Sequence, residues 1–393
     1  MTDTWVRKAT CIEKLYVALA DNGNSPTFRY LVRVDRELPI AEIDAAVKAA
    51  VSNCPAANLK YRNNSWFFAD YLPEFAVVDA YEEDVIEHPI SYVDCRKHTL
   101  AVSGIRHVKT DTYYIAVEFF HGACDGLSAL NFIYDIFAAL DNRALTKYSW
   151  DVTDIQVVNE YATQHTEKPD LVTACELKTP APIASETTSE TAGITQVTIP
   201  YRAGGISGKL SCALSQVFTN KRAKVMIPVN MRAYVDNNKD KDTFMFGNLA
   251  SALFCQCGGK SQNQILGDIK NKLATRAALS RRTTEFRAIR ASSLFLLRWV
   301  VRMYETFWNR KNRYALSGMI SHLGPVDQTR LQNPHVNVTD MYCHLNYFPL
   351  CGFVLVSICF GDKLNVSIRS NPKQRVDEKT INDLKENIRQ YVA

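Results

Sequence analysis

The chain has 393 residues, 47% hydrophobic and 22% charged, so it is long enough for two domains that each bury a core. The net charge of +5 comes from 46 basic and 41 acidic residues, and so small an excess argues against a nucleic-acid-binding protein. The start of the chain, Met1 to Glu13, is polar, and no apolar run is long enough to cross a bilayer. The sequence therefore predicts a cytoplasmic protein with no secretory signal and no membrane span.

The eleven cysteines are scattered along the chain, and several lie inside apolar runs, such as Cys351 and Cys359. Their number is odd, and the closest pair, Cys255 and Cys257, is too tight for a C-x-x-C metal or redox site. We therefore expect buried, reduced thiols and no bound metal.

The first half of the chain alternates between strand-like and helix-like patterns. Phe28–Val34 has an extended pattern, and Ile40 to Val51 places apolar residues at helical spacing. Ser65–Tyr71 and Thr112–Phe120 are rich in aromatic and β-branched residues, which predicts strands. After Phe120 the period changes, and an apolar stripe predicts a helix from about Gly126 to Leu140.

A change of composition separates the two halves. Between residues 164 and 196 Thr, Ser, Glu, Pro and Ala dominate, and aromatic residues disappear. This composition is typical of a flexible linker or crossover loop. We therefore predict an N-terminal lobe over residues 1–165, a linker over 166–196 and a C-terminal lobe over 197–393.

The second half again mixes helices and strands, so two α/β or α+β lobes are expected. The predicted elements are a helix at Ile206–Thr219, a strand at Ala223–Pro228, a long charged helix at Gln264–Arg290, a hairpin of Phe353–Phe360 and Lys363–Ile368, and a final helix at Asp377–Tyr391. The most apolar helical stretch, Leu294–Trp308, is interrupted by Arg298, Arg302 and Glu305. A buried or half-buried amphipathic helix is favoured there over a membrane-surface helix.

One stretch carries recognisable chemistry, Phe119-Phe120-His121-Gly122-Ala123-Cys124-Asp125-Gly126. A hydrophobic strand ends at His121, a loop of small residues follows, and Asp125-Gly126 leads into the predicted helix. The H-x-x-x-D spacing alone is weak, but strand ends in α/β sheets are where ligand sites usually lie. Cys124 invites a cysteine-nucleophile hypothesis, which we reject because no third group is placed to orient His121.

With this motif, the sequence resembles the chloramphenicol-acetyltransferase-like superfamily, whose members share an H-x-x-x-D-G motif. Two further stretches match in the same order along the chain. Pro228-Val229-Asn230-Met231-Arg232, with Phe246-Gly247-Asn248, is similar to the family's P-V-N-x-R and F-G-N segment, and Ser321-His322-Leu323-Gly324 is similar to its S-N-x-G stretch. The nearest branch is the bacterial alcohol-acetyltransferase or condensation-like one.

The sequence also departs from the family pattern. Condensation domains usually carry two consecutive histidines, and Phe120 stands at the first position, which weakens a peptide-bond-forming assignment. The plant enzymes' D-F-G-W-G signature is absent. His322 stands where asparagine is commoner, and the sequence assigns it no role. His335 and His344 have no motif around them and are interpreted as structural.

The resemblance implies an architecture and a set of site residues. The fold would be two similar α/β lobes forming a V with a central tunnel, and His121 would act in it as the general base. Asp125, followed by Gly126, would form a buried salt bridge with Arg232 that fixes the loop carrying the histidine. Asn248 and the backbone around Gly122 are candidates for stabilising the oxyanion or binding substrate.

The implied activity is acyl transfer from a thioester to a hydroxyl or amine by direct attack in a ternary complex. Acyl-coenzyme A would be the donor, with no permanently bound cofactor and no metal, and a small molecule would be the acceptor. Two alternatives stay open. One is a stand-alone condensation-like enzyme that takes its acyl group from a carrier protein. The other is a non-catalytic binding member of the fold.

Overall fold

The computed structural model describes residues 4–161, 173–178, 194–202, 204–219, 222–235, 242–279, 293–308, 313–346, 348–371 and 376–392. Its α-helices, in chain order, are α1 (Cys11–Asp21), α2 (Ile40–Asn53), α3 (Gly126–Leu140), α4 (Asp154–Tyr161), α5 (Ile206–Ser215), α6 (Gln262–Ala274), α7 (Leu294–Trp308), α8 (Gln328–Leu331) and α9 (Glu378–Val392).

The β-strands, in chain order, are β1 (Trp5–Lys8), β2 (Thr27–Val34), β3 (Leu59–Arg62), β4 (Ser65–Phe68), β5 (Val77–Ala80), β6 (Leu100–His107), β7 (Thr112–Phe120), β8 (Lys147–Ser149), β9 (Cys175–Glu176), β10 (Ile194–Pro200), β11 (Lys224–Asn230), β12 (Thr243–Met245), β13 (Ala250–Gln256), β14 (Arg313–Tyr314), β15 (Leu316–Pro325), β16 (Val338–Leu345), β17 (Cys351–Phe360) and β18 (Lys363–Ser370). Helices and strands alternate through both halves of the chain, which is the mixed α/β composition that the sequence predicts.

The first large sheet has five strands in the order β16-β2-β7-β6-β5. Its neighbours are antiparallel except β5 and β6, which run parallel. The strand β7 lies near the middle and is buried from Tyr114 to Phe120, so its run of apolar residues does not need to alternate. Its Val117 and Phe119 share a core with Phe132 and Ile133 of α3, which places α3 against this sheet.

The second large sheet has six strands in the order β10-β18-β17-β15-β11-β13. The strands β17, β15 and β11 are parallel neighbours, and the outer pairs are antiparallel. Helices α5, α6 and α9 supply core residues beside it, including Leu210, Ile265 and Leu384. The predicted hairpin is confirmed, because β17 and β18 pair in register around Gly361, whose φ of 60° suits glycine.

The two halves of the chain are joined by shared strands. The strand β16, from the second half, pairs antiparallel with β2 of the first sheet, and β12 pairs in parallel with β8. Asn365 of β18 connects the second sheet to the first, since its Nδ2 donates to Asp340 Oδ1 and to the Met341 carbonyl oxygen of β16. The predicted lobe limits stay a prediction, and much of the expected linker lies outside the described residues.

Several predicted elements match and one does not. The helices α2, α3 and α9 and the strand β7 lie where the patterns predict them. The predicted charged helix Gln264–Arg290 is wrong in length, because α6 ends at Ala274 and Arg276 has a φ of 53°, while residues 280–292 lie outside the described part. The stretch Leu294–Trp308 is a half-buried helix as expected, with one buried face and several large apolar side chains exposed on the other.

Three further features concern the expectations from composition. All eleven cysteine side chains are buried. Among the described residues, no helix combines the length and apolar character needed to cross a membrane. The same residues contain no group of three or more His, Cys, Asp or Glu side chains placed to hold a metal ion.

Candidate active site

His121 directly follows β7, and two hydrogen bonds fix its backbone. Its N–H donates to the Pro26 carbonyl oxygen at 2.8 Å, and its carbonyl oxygen accepts from Asn248 Nδ2 at 2.8 Å. One bond comes from the segment before β2 and the other from the second half of the chain. The position of the histidine therefore depends on both halves.

The His121 ring is packed between aromatic side chains. It stacks on Tyr16 of α1, with centroids 4.8 Å apart, and lies 5.0 Å from the Phe28 ring. Its Nδ1 is buried without a hydrogen bond of normal geometry within the described residues, which leaves Nε2 as the nitrogen able to meet a substrate. Burial lowers the pKa of His121, against the opposing effects of its own carbonyl oxygen and the Asp125 carboxylate.

Asp125 has the role of helix cap as well as charge partner. Its Oδ1 accepts from the Ser128 N–H at 2.9 Å, which caps the N-terminus of α3. Its Oδ2 accepts from Arg232 Nη1 at 2.8 Å and from the Leu249 N–H at 2.8 Å. The carboxylate therefore ties the loop after His121 to two segments of the second half.

Arg232 completes this connection from the other side. Its Nε donates to the Met245 carbonyl oxygen at 2.7 Å, and its Nη2 donates to Ser128 Oγ at 2.7 Å and to the Gly247 carbonyl oxygen at 3.0 Å. The Arg232 and Asp125 side chains are only 8% and 7% exposed. The structure thus brings together the two residues that the family resemblance pairs.

Both glycines of the motif lie against neighbouring side chains. A Cβ on Gly122 would lie 2.4 Å from Cε1 of Phe120, and a Cβ on Gly126 would lie 2.6 Å from Leu323 Cδ2. The Gly126 carbonyl oxygen also accepts a hydrogen bond from Tyr30 Oη at 2.8 Å. Only Gly126 of the two lines the cavity described next.

A cavity of about 420 Å³ lies beside His121 and is lined by both halves of the chain. Its walls are mostly apolar, with Leu15 and Leu19 from α1 on one side and Met226 and Leu350 from the second half on the other. This volume is within the range of small-molecule sites, roughly 300–1,000 Å³. The cavity therefore offers a largely apolar space next to the His121 imidazole, a combination that suits an acyl chain.

Asn248 also lines the cavity, but one of its amide hydrogens is already used. Its Nδ2 donates to the His121 carbonyl oxygen, so the side chain positions the loop as well as facing the cavity. Cys124 is fully buried and does not line the cavity, and burial raises its thiol pKa well above the ordinary value. A thiolate nucleophile at Cys124 is therefore disfavoured on geometric and electrostatic grounds.

The structure adds His322 to the site, for which the sequence offers no role. This histidine lies on β15, lines the same cavity, and has its Nδ1 3.0 Å from Ser357 Oγ of the neighbouring strand β17. Burial lowers the pKa of His322, so the ring is neutral near pH 7. The only signal in the sequence was its place in the S-N-x-G-like stretch, and Ser357 lies too far along the chain to be paired with it.

Comparisons with known proteins locate this arrangement among known folds. No family model matches the chain, and no curated protein matches it. Solved structures do. The epimerization domain from the third module of tyrocidine synthetase B is similar over 100% of this chain and 98% of its own, with a TM-score of 0.63 and 12% identity. This is the condensation-domain fold.

Two other solved structures support the same conclusion about the fold. The starter condensation domain of rhizomide synthetase, solved with C8-CoA and Leu-SNAC, is similar over 99% of this chain and 94% of its own, with a TM-score of 0.62 and 10% identity. Polyketide synthase associated protein 5 from Mycobacterium tuberculosis is similar over 98% of both chains, with a TM-score of 0.61 and 10% identity. The predicted chloramphenicol-acetyltransferase-like fold of two similar lobes is confirmed.

Proposed function

We propose that this protein transfers an acyl group from a thioester to a hydroxyl or amine acceptor, with His121 as the general base. The observation that carries the proposal is a half-buried imidazole with a lowered pKa, held at the end of β7 and lining an apolar cavity between the two halves. A neutral imidazole accepts a proton readily near pH 7. The Asp125–Arg232 ion pair supports it by fixing the loop on which His121 stands.

The reaction needs no covalent enzyme intermediate. His121 Nε2 takes the proton from the acceptor O–H or N–H while that oxygen or nitrogen attacks the thioester carbonyl carbon. The tetrahedral intermediate then collapses, the C–S bond breaks, and the imidazolium returns the proton to the sulfur that leaves as a thiol. The donor is acyl-coenzyme A, and its acyl chain occupies the apolar part of the cavity.

The negative oxygen of the intermediate requires a hydrogen-bond donor. Asn248 and the Gly122 backbone remain candidates, although Asn248 is partly committed to His121 and Gly122 does not line the cavity. His322 also lines the cavity, but its hydrogen bonds do not favour it as an oxyanion donor. Ser357 Oγ donates its one proton to the Ser321 carbonyl oxygen at 3.4 Å and lies 3.0 Å from His322 Nδ1. Both contacts are hydrogen bonds only when His322 Nδ1–H donates to Ser357 Oγ, which leaves His322 Nε2 as an acceptor.

The test is release of free thiol from acetyl- and octanoyl-coenzyme A in the presence of primary alcohols and amines. His121→Ala should lower turnover by at least about a hundredfold, as expected for loss of a general base. His335→Ala is the matched control, because His335 is exposed and lies outside the cavity. Full activity of His121→Ala would contradict the assignment, and equal loss in both variants would point to a general effect of the substitution.

The second candidate function is the same transfer from a carrier protein. It is favoured by the condensation and epimerization domains among the similar folds, which come from synthetases. Presenting the same acyl group on coenzyme A and on a loaded carrier protein distinguishes the two donors. Absence of thiol release with either donor, in a folded protein that still binds the thioester, would instead support the non-catalytic binding role.

A further inference from the structure

The helix α7 exposes an unusually apolar face. Its large exposed side chains fall in two rows with a spacing of four residues, one formed by Phe295, Trp299, Met303 and Phe307 and the other by Leu296 and Val300. Phe295 and Phe307 are 76% and 71% exposed, and Trp299 is 55% exposed. Single exposed apolar residues are ordinary, whereas a continuous patch of this kind marks an interaction surface.

The opposite face of α7 is anchored, so this orientation is defined by the fold. Leu297 and Val301 are buried in a small core with Ala18 and Leu19 of α1. Glu305 is also buried, and its Oε1 accepts a hydrogen bond from Asn24 Nδ2 at 2.6 Å. The helix therefore has a protein-facing side already satisfied and an apolar side directed to solvent.

Three arginines lie on or beside α7. Arg298 and Arg96 both pair with Asp21, whose side chain is only 8% exposed. Arg302 is exposed. Glu305 is the acidic residue of α7, and it faces the interior, so no carboxylate of the helix faces outward. We name the six exposed apolar residues, with Arg96, Arg298 and Arg302, the α7 surface.

We infer that the α7 surface adsorbs to an anionic lipid bilayer, with the helix lying in the interface rather than crossing it. Aromatic and aliphatic side chains on one face with arginines at the border are the pattern of interfacial helices. The arginines would donate hydrogen bonds to lipid phosphates. The apolar side chains would insert between the headgroups and the acyl chains of the lipids. A second copy of the chain fits less well, because pairing two α7 surfaces would bring arginines together without an outward carboxylate of the helix to compensate them.

The α7 surface is connected to the cavity through α1. The helix α1 packs against α7 through Ala18 and Leu19, and it also contributes Leu15, Tyr16 and Leu19 to the cavity wall. The bilayer would thus lie on the side of the protein where α1 closes the cavity. Binding to lipid is a property of the surface alone, so His121→Ala should bind vesicles as the wild type does.

The experiment is co-sedimentation of the full chain with vesicles of phosphatidylcholine alone and of phosphatidylcholine mixed with phosphatidylglycerol. The wild type should pellet with the anionic vesicles, and high salt should weaken this binding because it screens the arginines. Phe295→Ser combined with Trp299→Ser should lower the vesicle-bound partition coefficient by about tenfold or more. Tyr81→Ser, at a side chain 65% exposed after β5, is the matched control and should bind as the wild type.

Three results would overturn the inference. The first is a wild type that stays in solution with both kinds of vesicle, and the second is a double variant that binds them undiminished. The third is a dimer of the wild type without lipid, seen by sedimentation velocity, that the double variant does not form. A second copy of the chain would then be what covers the α7 surface. Met303→Ser combined with Phe307→Ser is a second, independent variant, and unchanged melting curves show that either variant is folded.

Discussion

Replacing Arg232 by methionine tests how much the buried ion pair between the two halves stabilises the protein. Methionine keeps much of the length of the side chain but removes all five hydrogen bonds that the guanidinium donates. Asp125 would keep only the N–H donors of Ser128 and Leu249, and its carboxylate, 7% exposed, would have lost its cation. Breaking one side of a buried pair typically costs about 3–5 kcal/mol, and we expect a loss in that range.

The assay is urea unfolding followed by tryptophan fluorescence. The matched control is Arg106→Met, whose pair with Asp111 has side chains 46% and 67% exposed and should contribute less than about 1 kcal/mol. Combining Arg232→Met with Asp125→Asn should recover part of the loss, because no charge is then left buried alone. If Arg232→Met lowers the free energy of unfolding no more than Arg106→Met does, the buried pair does not stabilise the protein more than an exposed one.

Three further outcomes follow from the site and its surroundings. Burial, with the nearby Arg29, holds the pKa of His344 well below its ordinary value, so below about pH 6.5 the unfolded chain binds a proton that the folded chain does not. As the pH falls below that value, this group should lower the free energy of unfolding by up to about 1.4 kcal/mol per pH unit. In urea titrations at several pH values His344→Leu should flatten this dependence, and an unchanged slope would contradict the expectation. Gly122→Ala should lower the free energy of unfolding by about 1–3 kcal/mol, because the added Cβ would clash with the fully buried Phe120 ring. A melting temperature equal to that of the wild type would show that the added methyl group is accommodated without strain. Because burial also lowers the pKa of His121, kcat/KM should be flat above about pH 6.5 and fall only in more acidic buffer, whereas a decline beginning above pH 7 would argue against this base.

The sequence could predict the core of the candidate site because the decisive features are local. The strand β7, the capping carboxylate and the helix α3 follow one another without interruption, and each has a clear periodic or capping pattern. The partner of Asp125 was accessible only through the family resemblance, since Arg232 lies 107 residues further along the chain. Periodicity alone offers no means of joining two such distant positions.

Other features depend on packing that a pattern does not encode. The amphipathic pattern of Leu294–Trp308 identifies a helix, but it does not show which side packs inward. The structure buries Leu297, Val301 and Glu305. The buried Glu305 carboxylate is stabilised by a hydrogen bond from Asn24 Nδ2, and these two residues are 281 positions apart in the sequence. For the same reason, the bond from Asn248 to the His121 carbonyl oxygen could not be foreseen.

The strand β16 has a consequence for the way this chain is made. The eight residues of β16 close the first sheet along β2, whose own sequence emerges from the ribosome about three hundred residues earlier. Until β16 has been synthesised, the amide and carbonyl groups along this edge of β2 have no partner strand. Such an unpaired strand edge can pair with another chain. The five-stranded order of the first sheet is therefore complete only once residue 345 has been synthesised.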